Sequence, residues 1–522
     1  MNKNILGIDL GTTNSVACSI DESGNARPIK NAEGSYITPS AICFTPNNEI
    51  VVGEEAKNLQ AAFPEDYVHE IKRQMGKCDD SGKPITFHID KEGKEWNAEE
   101  LSALILKKIK HDAETITGNS FDEVLITVPA CFDQAQRQAT INAGKIAGFS
   151  KIEIMDEPTV ASVASGISKH NGMYVLYDLG GGTFDVSVLE IDGHGATKII
   201  ATAGQANLGG TDFDLRIIQR INKEAQTQGV DLVSIDDPSI AYEIKDKAQR
   251  LKHTLSVREE TDFNMFIQGK QIKFTYSRKE LETETQDLIE STIEKIQSAL
   301  GDKNLSPIDI GETILAGGAT RMPRIAERLE EFMGRPPVRN EDPDLLIAMG
   351  AAVIFAAMTQ ADGETVLSLS GTEVKSLPSG TFVNCAAHCL GCKAIDSPGL
   401  REIFSVIIPQ NTPLPAKCSD TFKLLEKHQT QVEVYVYQGK EDGALSECLL
   451  IDKVLLTGLP VADVEEARIS VEYKYSRSGI VDVTVQDLIS GKSKVAQISH
   501  QLGMNETQVQ ESAEQVSQRN VA

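Results

Sequence analysis

Three consecutive glycines with acidic and hydroxyl neighbours form the stretch of this sequence that carries most chemical information, MYVLYDLGGGTFD at residues 173–185. The members that could do chemistry are Asp178, Gly180, Gly181, Gly182, Thr183 and Asp185. Glycines permit a tight turn whose backbone N–H groups face an anion, and a carboxylate is a ligand for a hard metal cation. The combination predicts a site for a polyphosphate that carries a metal ion.

The same pattern occurs a second time near the N-terminus. After an apolar run, ILGIDLGTTNS at residues 5–15 presents Asp9, Gly11, Thr12 and Thr13. Two such turns facing each other would hold a nucleotide from both sides, so the repeat predicts an internal duplication. The sequence contains neither GxxxxGK[ST] nor GxGxxG, which excludes a P-loop and a Rossmann site.

Alternating strands and helices must position these turns. Apolar runs at 5–10 and 173–177 indicate buried strands, and residues 184–191 alternate as the second strand of a hairpin. Asn97 begins a capping box before a helical pattern, and Asp133 can cap the next helix. Up to about residue 362 this alternation predicts an α/β domain, 1–362.

The chain changes character beyond that domain. We expect a linker with a possible insertion at 363–384 and an antiparallel β-sandwich at 385–502, because the segments from 385 to 500 read as strands separated by Gly and Pro. A helix can begin at Asn505, and residues 503–522 are expected to bury little surface.

Composition excludes several classes of protein. The net charge of −25 argues against non-specific binding to nucleic acid or to anionic membranes, since both depend on basic surface. No run of eighteen apolar residues is present, and the N-terminus lacks the apolar stretch of a signal peptide. Nine cysteines leave at least one unpaired, which fits a reducing compartment. The predicted location is the cytoplasm.

Six strings in this sequence resemble the ATPase domain of the seventy-kilodalton heat-shock chaperones of the DnaK type. They are IDLGTTNS, VPACFDQAQRQAT, DEPTVAS, YDLGGGTFDVSVLEI, NLGGTDFD and AGGATRMP. The resemblance implies a two-lobed actin-like ATPase, built from duplicated ribonuclease-H-like units, followed by a β-sandwich. It also implies a short, divergent member in which 503–522 is only the start of the family's helical lid.

The function implied by the resemblance is that of an ATP-dependent chaperone that hydrolyses ATP slowly and binds extended apolar segments of client proteins. The implied cofactors are ATP or ADP, Mg²⁺ and K⁺. The implied partners are an unfolded or dedicated client, a J-domain co-chaperone and a nucleotide-exchange factor. Two other readings stay open from the sequence: a small-molecule kinase of the actin-like fold, and a nucleotide-bound co-chaperone or exchange factor that does not hydrolyse ATP.

The resemblance places phosphate and metal chemistry around the two glycine turns. Lys72 corresponds to a catalytic lysine that neutralises charge on the transferred phosphoryl group, and Glu157 and Asp185 correspond to acids that orient water. Asp9 and Asp178 would hold Mg²⁺, mostly through water, and Asp9 and Asp185 would lie near potassium. The phosphate-binding residues would be Gly11, Thr12, Thr13, Gly180, Gly181, Gly182, Thr183, Gly209 and Gly210.

The adenosine end departs from the family at two positions. The residues implied to bind adenosine are Gln249, Lys252, His253, Ser256, Gly317, Gly318, Arg321 and Asp344. Gln249 stands where a glutamate is usual, and His253 replaces an arginine that stacks on adenine. A neutral imidazole loses the cation–π interaction, about 1 kcal/mol, so weaker nucleotide affinity is expected.

Coupling between the two domains is implied to run through Pro129 and Arg137. Cys131 lies between them where a tyrosine is usual. Two segments match the family's linker, ETVLSLS at 364–370 and TFVNCAAHCLG at 381–391. We favour the second, which makes 365–379 an insertion and places Asn384 at an acidic position. Because these departures lie outside the glycine turns, chemistry at the γ-phosphate is expected to be intact.

The β-rich part contains two further candidate sites. Cys385, Cys389 and Cys392 surround His388 with a spacing that could hold an iron–sulfur cluster or zinc, or that arises by coincidence on a strand. The resemblance implies a cleft for an extended apolar peptide near Ile395, Phe422, Leu425 and Val432, which could equally be sandwich core.

Overall fold

A computed structural model shows how the chain folds. It describes residues 5–521 with gaps at 48, 80–81, 166–170, 193–196, 206, 233–234, 236, 268, 340–341, 360–366, 370–371, 375–385, 387, 397–400, 411, 427, 441–442, 462–467, 477–478 and 498–502. The proposed linker position Asn384, the segment 381–385 and Cys385 lie outside the described residues.

Residues 5–164 form the first lobe of the ATPase-like part, lobe I. Its elements are β1 Ile5–Leu10, β2 Asn14–Ile20, β3 Ala26–Ile29, β4 Ile37–Pro39, β5 Ala41–Phe44, β6 Ile50–Val52, α1 Glu54–Leu59, β7 Tyr67–His69, β8 Thr86–Ile89, β9 Glu95–Asn97, α2 Ala98–Thr117, β10 Glu123–Val128, α3 Gln134–Ile146, β11 Lys151–Asp156 and α4 Glu157–Ala164. The predicted capping box of Asn97 and Glu100 starts α2, and Asp133 caps α3, as the sequence indicated.

Residues 172–333 form lobe II, and a helix follows it. The elements are β12 Gly172–Leu179, β13 Phe184–Ile191, β14 Thr197–Gln205, α5 Gly210–Thr227, α6 Pro238–Val257, β15 Glu260–Ile267, β16 Lys270–Ser277, α7 Arg278–Glu284, α8 Gln286–Gly301, β17 Glu312–Ala316, α9 Pro323–Met333 and α10 Leu346–Thr359. Gly334 caps the end of α9 in the left-handed conformation.

The central sheets of the two lobes follow one plan. In lobe I the hairpin β1–β2 begins with a strand that also pairs in parallel with β10, in the order β11-β10-β1-β2-β3. In lobe II the hairpin β12–β13 begins with a strand that pairs in parallel with β17, in the order β14-β13-β12-β17. This repeated arrangement is the duplication that the two glycine turns predicted.

Helix α10 packs unusually close to strand β1. It is buried along most of its length, from Leu346 to Ala356. A Cβ atom on Gly7 would lie 2.2 Å from the backbone nitrogen of Ala352, so only a hydrogen fits between strand and helix at this point. The helix that follows lobe II is therefore in direct backbone contact with the strand that ends at the first glycine turn.

The predicted β-sandwich consists of two four-stranded antiparallel sheets. Its strands are β20 Cys389–Asp396, β21 Arg401–Ile408, β22 Ala416–Phe422, β23 Gln431–Gly439, β24 Leu449–Thr457, β25 Ile469–Tyr475, β26 Val481–Asp487 and β27 Ser493–Gln497, preceded by a small hairpin of β18 Leu367–Leu369 and β19 Thr372–Val374. The sheets have the orders β21-β20-β23-β24 and β22-β25-β26-β27. Val436, Tyr473 and Val483 lie in the shared core.

The helix predicted from Asn505 is present as α11, Glu506–Gln518, and Asn505 forms its capping box. The expectation that it buries little is wrong. Val509, Ser512 and Val516 are buried, and Val509 and Val516 belong to the same apolar cluster as Trp96 of lobe I. The sequence shows that the helix is amphipathic, but not which surface its apolar face contacts.

Within the part of the chain that the structure describes, no helix is long and apolar enough to cross a membrane.

The domain boundaries that we inferred from the sequence remain predictions.

A buried ion pair ties together the second sheet of the sandwich. Arg468 Nε donates to Asp487 Oδ1 at 2.6 Å, with side-chain exposures of 1% and 0%. The guanidinium also donates to the carbonyl of Pro460 at 2.7 Å. Hydrogen bonds from Arg468 hold the pKa of Asp487 well below its usual range.

We predict that Asp487→Asn destabilises the sandwich by about 3–5 kcal/mol, because it leaves a buried guanidinium without its counter-charge. Native-state hydrogen exchange of β25 and β26 in the full chain measures the effect. The matched control is Lys417→Ala, which removes an exposed pair with Glu472 and should cost less than about 1 kcal/mol. Equal effects of the two variants would contradict the prediction.

The pair also predicts a pH dependence. Because the folded-state pKa of Asp487 is lowered, its stabilisation is complete above the unfolded pKa of about 3.9 and is lost as the pH falls below that value. Asp487→Asn should lose this dependence.

Candidate functional site

A cavity of about 740 Å³ lies between the two lobes. This volume is within the range of roughly 300–1,000 Å³ that is usual for small-molecule sites. Twenty of the predicted residues line it: Asp9, Gly11, Thr12, Thr13, Lys72, Pro129, Glu157, Asp178, Gly180, Gly181, Thr183, Gly210, Gln249, Lys252, His253, Ser256, Gly317, Gly318, Arg321 and Asp344. Residues far apart in the sequence thus meet in one place.

The two glycine turns face each other at one end of the cavity. A Cβ atom on Gly181 would lie 2.1 Å from Thr13 Oγ1, so the turns approach more closely than any side chain allows. The Thr13 hydroxyl is buried and makes no hydrogen bond to any described residue. Because buried polar groups are normally paired, this hydroxyl fits a ligand that supplies an acceptor, such as a phosphate oxygen.

A third turn supports the one in lobe II. Gly210 N donates to Gly180 O at 2.9 Å, and Thr211 N donates to Gly181 O at 2.8 Å. Gly209 packs against the backbone of Gly181. Gly182 and Gly209, which the sequence also predicted to bind phosphate, are not among the residues that line the cavity.

Strand ends bring carboxylates together beside the turns. Asp9 ends β1 opposite Thr127 of β10, whose hydroxyl donates to it at 3.1 Å. Asp178 and Asp185 are cross-strand partners on β12 and β13. Asp185 lies outside the main cavity and lines a small adjoining recess with Glu157 and Asp178.

Burial and mutual repulsion raise the pKa values of these acids. Burial, and then the charge of Glu157, raise the pKa of Asp9 and of Asp185 to about 7. The same two causes raise the pKa of Asp178 well above its usual range. A bound cation would lower these values again, because it stabilises the ionised carboxylates.

Lys72 is the cation at the centre of the acids. Its Nζ atom donates to Glu157 Oε1 at 2.9 Å, and both side chains are 10% exposed. Burial alone would lower the pKa of Lys72, but the charges of Glu157 and Asp9 outweigh burial and raise it. Lys72 lies in the 3₁₀ turn Ile71–Gln74, which buried Ile71 anchors to lobe I.

The donor set fits a divalent metal ion. Three aspartates and Glu157 surround one lysine, so the cluster carries an excess of negative charge when it is ionised. Mg²⁺ takes oxygen ligands, keeps several waters and joins carboxylates to phosphate oxygens. Asp9 and Asp178, which line the cavity beside the phosphate turns, are the residues that would hold it.

The adenosine end is built from α6 and the turn after β17. Lys252 Nζ bonds Asp214 Oδ2 at 2.8 Å and Gly210 O at 2.7 Å, so the lysine supports the loop of the third turn. Ser256 donates to the Lys252 carbonyl at 2.9 Å. Arg321 bonds Asp344 at 2.9 Å and Asp342 at 2.7 Å.

Gln249 and His253, the two adenosine-end residues that differ from the family pattern, have different surroundings. Gln249 Oε1 accepts a hydrogen bond from Lys57 Nζ of lobe I at 3.4 Å, so the glutamine contacts the opposite lobe across the cavity. Tyr242, about two helix turns before Gln249 on α6, donates to the carbonyl of Lys57 at 3.2 Å. Burial, and then the charge of Lys252, lower the pKa of His253, which therefore lines the cavity as a neutral ring.

Arg73 and Glu70 are residues that the sequence reasoning missed. The Arg73 guanidinium donates to the carbonyl of Gly182 at 2.5 Å and to Glu70 Oε2 at 2.9 Å. Glu70 has a φ of 56°, a left-handed conformation that is uncommon outside glycine. Arg73 thus joins lobe I to the phosphate turn of lobe II. In the sequence, the feature that could have pointed to Arg73 is its position directly after Lys72.

Comparison with known proteins identifies the family. The family described as Hsp70 protein matches residues 5–521. Chaperone protein DnaK of Thermotoga petrophila is 39% identical over 514 residues, which are 96% of this chain and 82% of that protein. Chaperone protein DnaK of Thermosipho africanus is 38% identical over 509 residues, 95% of this chain and 80% of that protein. The chain belongs to the Hsp70 family.

Membership of the Hsp70 family confirms several predictions. The fold is a two-lobed actin-like ATPase followed by a β-sandwich, and the protein is an ATP-dependent chaperone with ATPase activity. Nucleotide is its cofactor, and client proteins and co-chaperones are its general partners. Neither alternative function finds support among these comparisons.

The residues predicted to couple the Hsp70 domains lie between the cavity and the sandwich. Pro129 lines the cavity, and Arg137 is buried in an ion pair with Asp156 at 2.6 Å. Cys131 Sγ donates to Asp185 Oδ1 at 3.5 Å, and its carbonyl oxygen contacts His388 Nε2 at 3.2 Å. The expectation that the departures lie apart from the catalytic turn is therefore wrong for Cys131.

The cysteines near the start of the sandwich occupy separate positions. Cys389 and Cys392 are buried on β20, and Cys389 Sγ accepts a hydrogen bond from Gln410 N at 3.2 Å. His388 points to Cys131. His388, Cys389 and Cys392 therefore form no group that could hold a metal among the described residues, while Cys385 falls in a gap.

The residues predicted for the peptide cleft share one end of the sandwich but differ in exposure. Leu425 is 63% exposed, whereas Ile395 is half-buried. Phe422 and Val432 pack partly against the apolar core. Their role in peptide binding stays a prediction.

We predict that Arg73→Met lowers kcat/KM for ATP about tenfold or more, because a charged hydrogen bond to the phosphate turn is worth roughly 1.5–3 kcal/mol. Steady-state phosphate release measures this change. Lys77→Met is the matched control, since Lys77 is exposed and, among the described residues, its side-chain nitrogen bonds only Gln74. An unchanged kcat/KM in Arg73→Met would contradict the prediction.

Proposed function

We propose that this Hsp70 protein hydrolyses ATP at the phosphate end of the cavity through the cluster of Lys72 and the four acids. The observation that supports this assignment is the convergence of Lys72, Glu157, Asp9 and Asp178 on the two glycine turns. Catalysis of phosphoryl transfer consists mainly of positioning and charge stabilisation, and this arrangement supplies both.

The role of each residue follows from its surroundings. Asp9 and Asp178 would hold Mg²⁺, which would neutralise negative charge on the bound phosphates. Lys72, held by Glu157 at 2.9 Å, supplies positive charge to the transferred phosphoryl group. Thr12, Thr13 and Thr183 donate to phosphate oxygens. Water is the acceptor, and Glu157 and Asp185 orient it.

The finer parts of the proposal concern ions, partners and location. We assign K⁺ to the neighbourhood of Asp9 and Asp185, where buried carboxylates need further positive charge. A J-domain co-chaperone and a nucleotide-exchange factor are the proposed partners, together with clients held as extended apolar segments by the sandwich. The cytoplasm stays a prediction from the sequence.

Phosphate release by the full chain, with and without an unfolded peptide, tests the function. We expect slow turnover that saturating peptide stimulates, and a loss of about 10²–10³-fold in the single-turnover rate of Lys72→Ala, with ATP binding retained. Lys77→Ala is the control for an exposed cation on the same segment. Equal rates for Lys72→Ala and the unsubstituted chain would refute the catalytic assignment.

We predict that Gln249→Glu slows ADP release about two- to fivefold, because it converts the Lys57 contact into an ion pair across the cavity, worth up to about 1 kcal/mol. Stopped-flow release of a fluorescent ADP measures the rate. In a Lys57→Ala background the same substitution should have no such effect. Slower release in that background as well would show that the effect does not depend on Lys57 and would contradict the prediction.

A further inference from the structure

The thiol of Cys131 faces the acidic cluster of the proposed ATPase site. Its Sγ atom lies 3.5 Å from Asp185 Oδ1 and donates a hydrogen bond to it. Both residues line the recess beside the main cavity, together with Glu157 and Asp178. Among the described residues, no other side chain donates to the Asp185 carboxylate. The orientation of this acid therefore depends on one side-chain donor, which is a cysteine.

The backbone of lobe II leaves a defined place for the same carboxylate. Asp185 pairs with Gly204 across β13 and β14. A Cβ atom on Gly204 would lie 2.7 Å from Asp185 Oδ1, so a side chain at position 204 would displace this oxygen. The oxygen that accepts from the Cys131 thiol is thus also in close contact with the neighbouring strand.

The loop that carries Cys131 is held at several points. The backbone nitrogen of Phe132 donates to the carbonyl oxygen of Pro129 at 3.1 Å, which closes a tight turn. Arg137 donates to the carbonyl oxygens of Ala130 and Phe132, on either side of Cys131, at 3.4 and 3.1 Å. The Arg137 side chain is itself buried. This anchored loop presents the thiol to the acid.

The two oxygens of the Asp185 carboxylate have different surroundings. Oδ1 accepts the hydrogen bond of the Cys131 thiol, because a thiol is protonated at neutral pH and is a weak donor. Oδ2 accepts no hydrogen bond from the residues that the structure describes. With Oδ1 engaged, Oδ2 is the oxygen available to a water molecule.

We propose that Cys131 is a positioning residue for ATP hydrolysis, which acts by fixing the Asp185 carboxylate so that Oδ2 faces the attacking water. The inference rests on the proposed function, because it requires Asp185 to orient that water. Cys131 is not among the residues that line the main cavity. It therefore affects the hydrolysis step and not the binding of ATP.

Single-turnover hydrolysis by the full chain, measured without peptide, tests the proposal. Cys131→Ala should slow the hydrolysis step about three- to tenfold, because the carboxylate loses its hydrogen bond. The Kd for ATP should stay within about twofold of its value in the unsubstituted chain. An unchanged hydrolysis rate would overturn the proposal, and so would a loss of ATP affinity that accounts for the whole effect.

Cys131→Ser separates the hydrogen bond from the shape of the side chain. A hydroxyl is a stronger donor than a thiol on a side chain of similar size, so serine should restore the hydrolysis rate to within about twofold. A serine variant as slow as the alanine variant would overturn the proposal. Cys448→Ala is the matched control and should leave hydrolysis unchanged, because its thiol donates to the carbonyl of Ala444 in the sandwich, also at 3.5 Å.

A double-mutant cycle with Asp185 shows through which group the thiol acts. In an Asp185→Ala background no carboxylate remains to be positioned, so Cys131→Ala should have no further effect on the hydrolysis rate. An equal effect of Cys131→Ala in both backgrounds would indicate a general structural role and would overturn the proposal.

The same variants separate failure of this inference from failure of the proposed function. If Asp185→Ala slows hydrolysis and Cys131→Ala does not, the inference alone is refuted. If Asp185→Ala leaves the hydrolysis rate unchanged, the role of Asp185 in the proposed function is refuted together with the inference.

Discussion

The structure depends on an excess of negative charge buried between two lobes. Asp9, Asp178, Asp185 and Glu157 surround Lys72. The three aspartates lie near the ends of strands of the central sheets, and Glu157 begins α4 directly after β11. Burying so many like charges is unfavourable unless cations compensate them. A cation bound at this point would therefore stabilise the arrangement in which the two lobes meet.

The sequence correctly predicted the structural features that depend on residues close to one another in the chain. The turn DLGGGTFD, the capping boxes at Asn97 and Asp133, and the strands of the sandwich each depend on residues within one or two turns of chain, so their spacing is sufficient. Sequence reasoning failed for contacts between residues that are far apart in the chain. An amphipathic pattern shows that α11 has an apolar face but cannot specify Trp96 as its neighbour, and Lys57 gave no sign of its contact with Gln249.

Cys131 illustrates why departures from a family are hard to place by sequence alone. Its side chain contacts Asp185 and its carbonyl contacts His388 of the sandwich, so one residue links the acids to the second domain. A thiol is a weak hydrogen-bond donor and does not reach as far as a phenol. The contact between the acidic cluster and the sandwich therefore involves the backbone of Cys131 as well as its small side chain. The buried ion pair of Arg137 and Asp156 lies next to it.

Gly7 connects two distant parts of the molecule through the absence of a side chain. It lies two residues before Asp9 on β1 and against Ala352 of α10, the helix that precedes the route to the sandwich. With no side chain between them, the backbones of strand and helix are in direct contact. A side chain at position 7 would have to push β1 away from α10, and this displacement would move Asp9, two residues further along the strand, out of its place in the cavity.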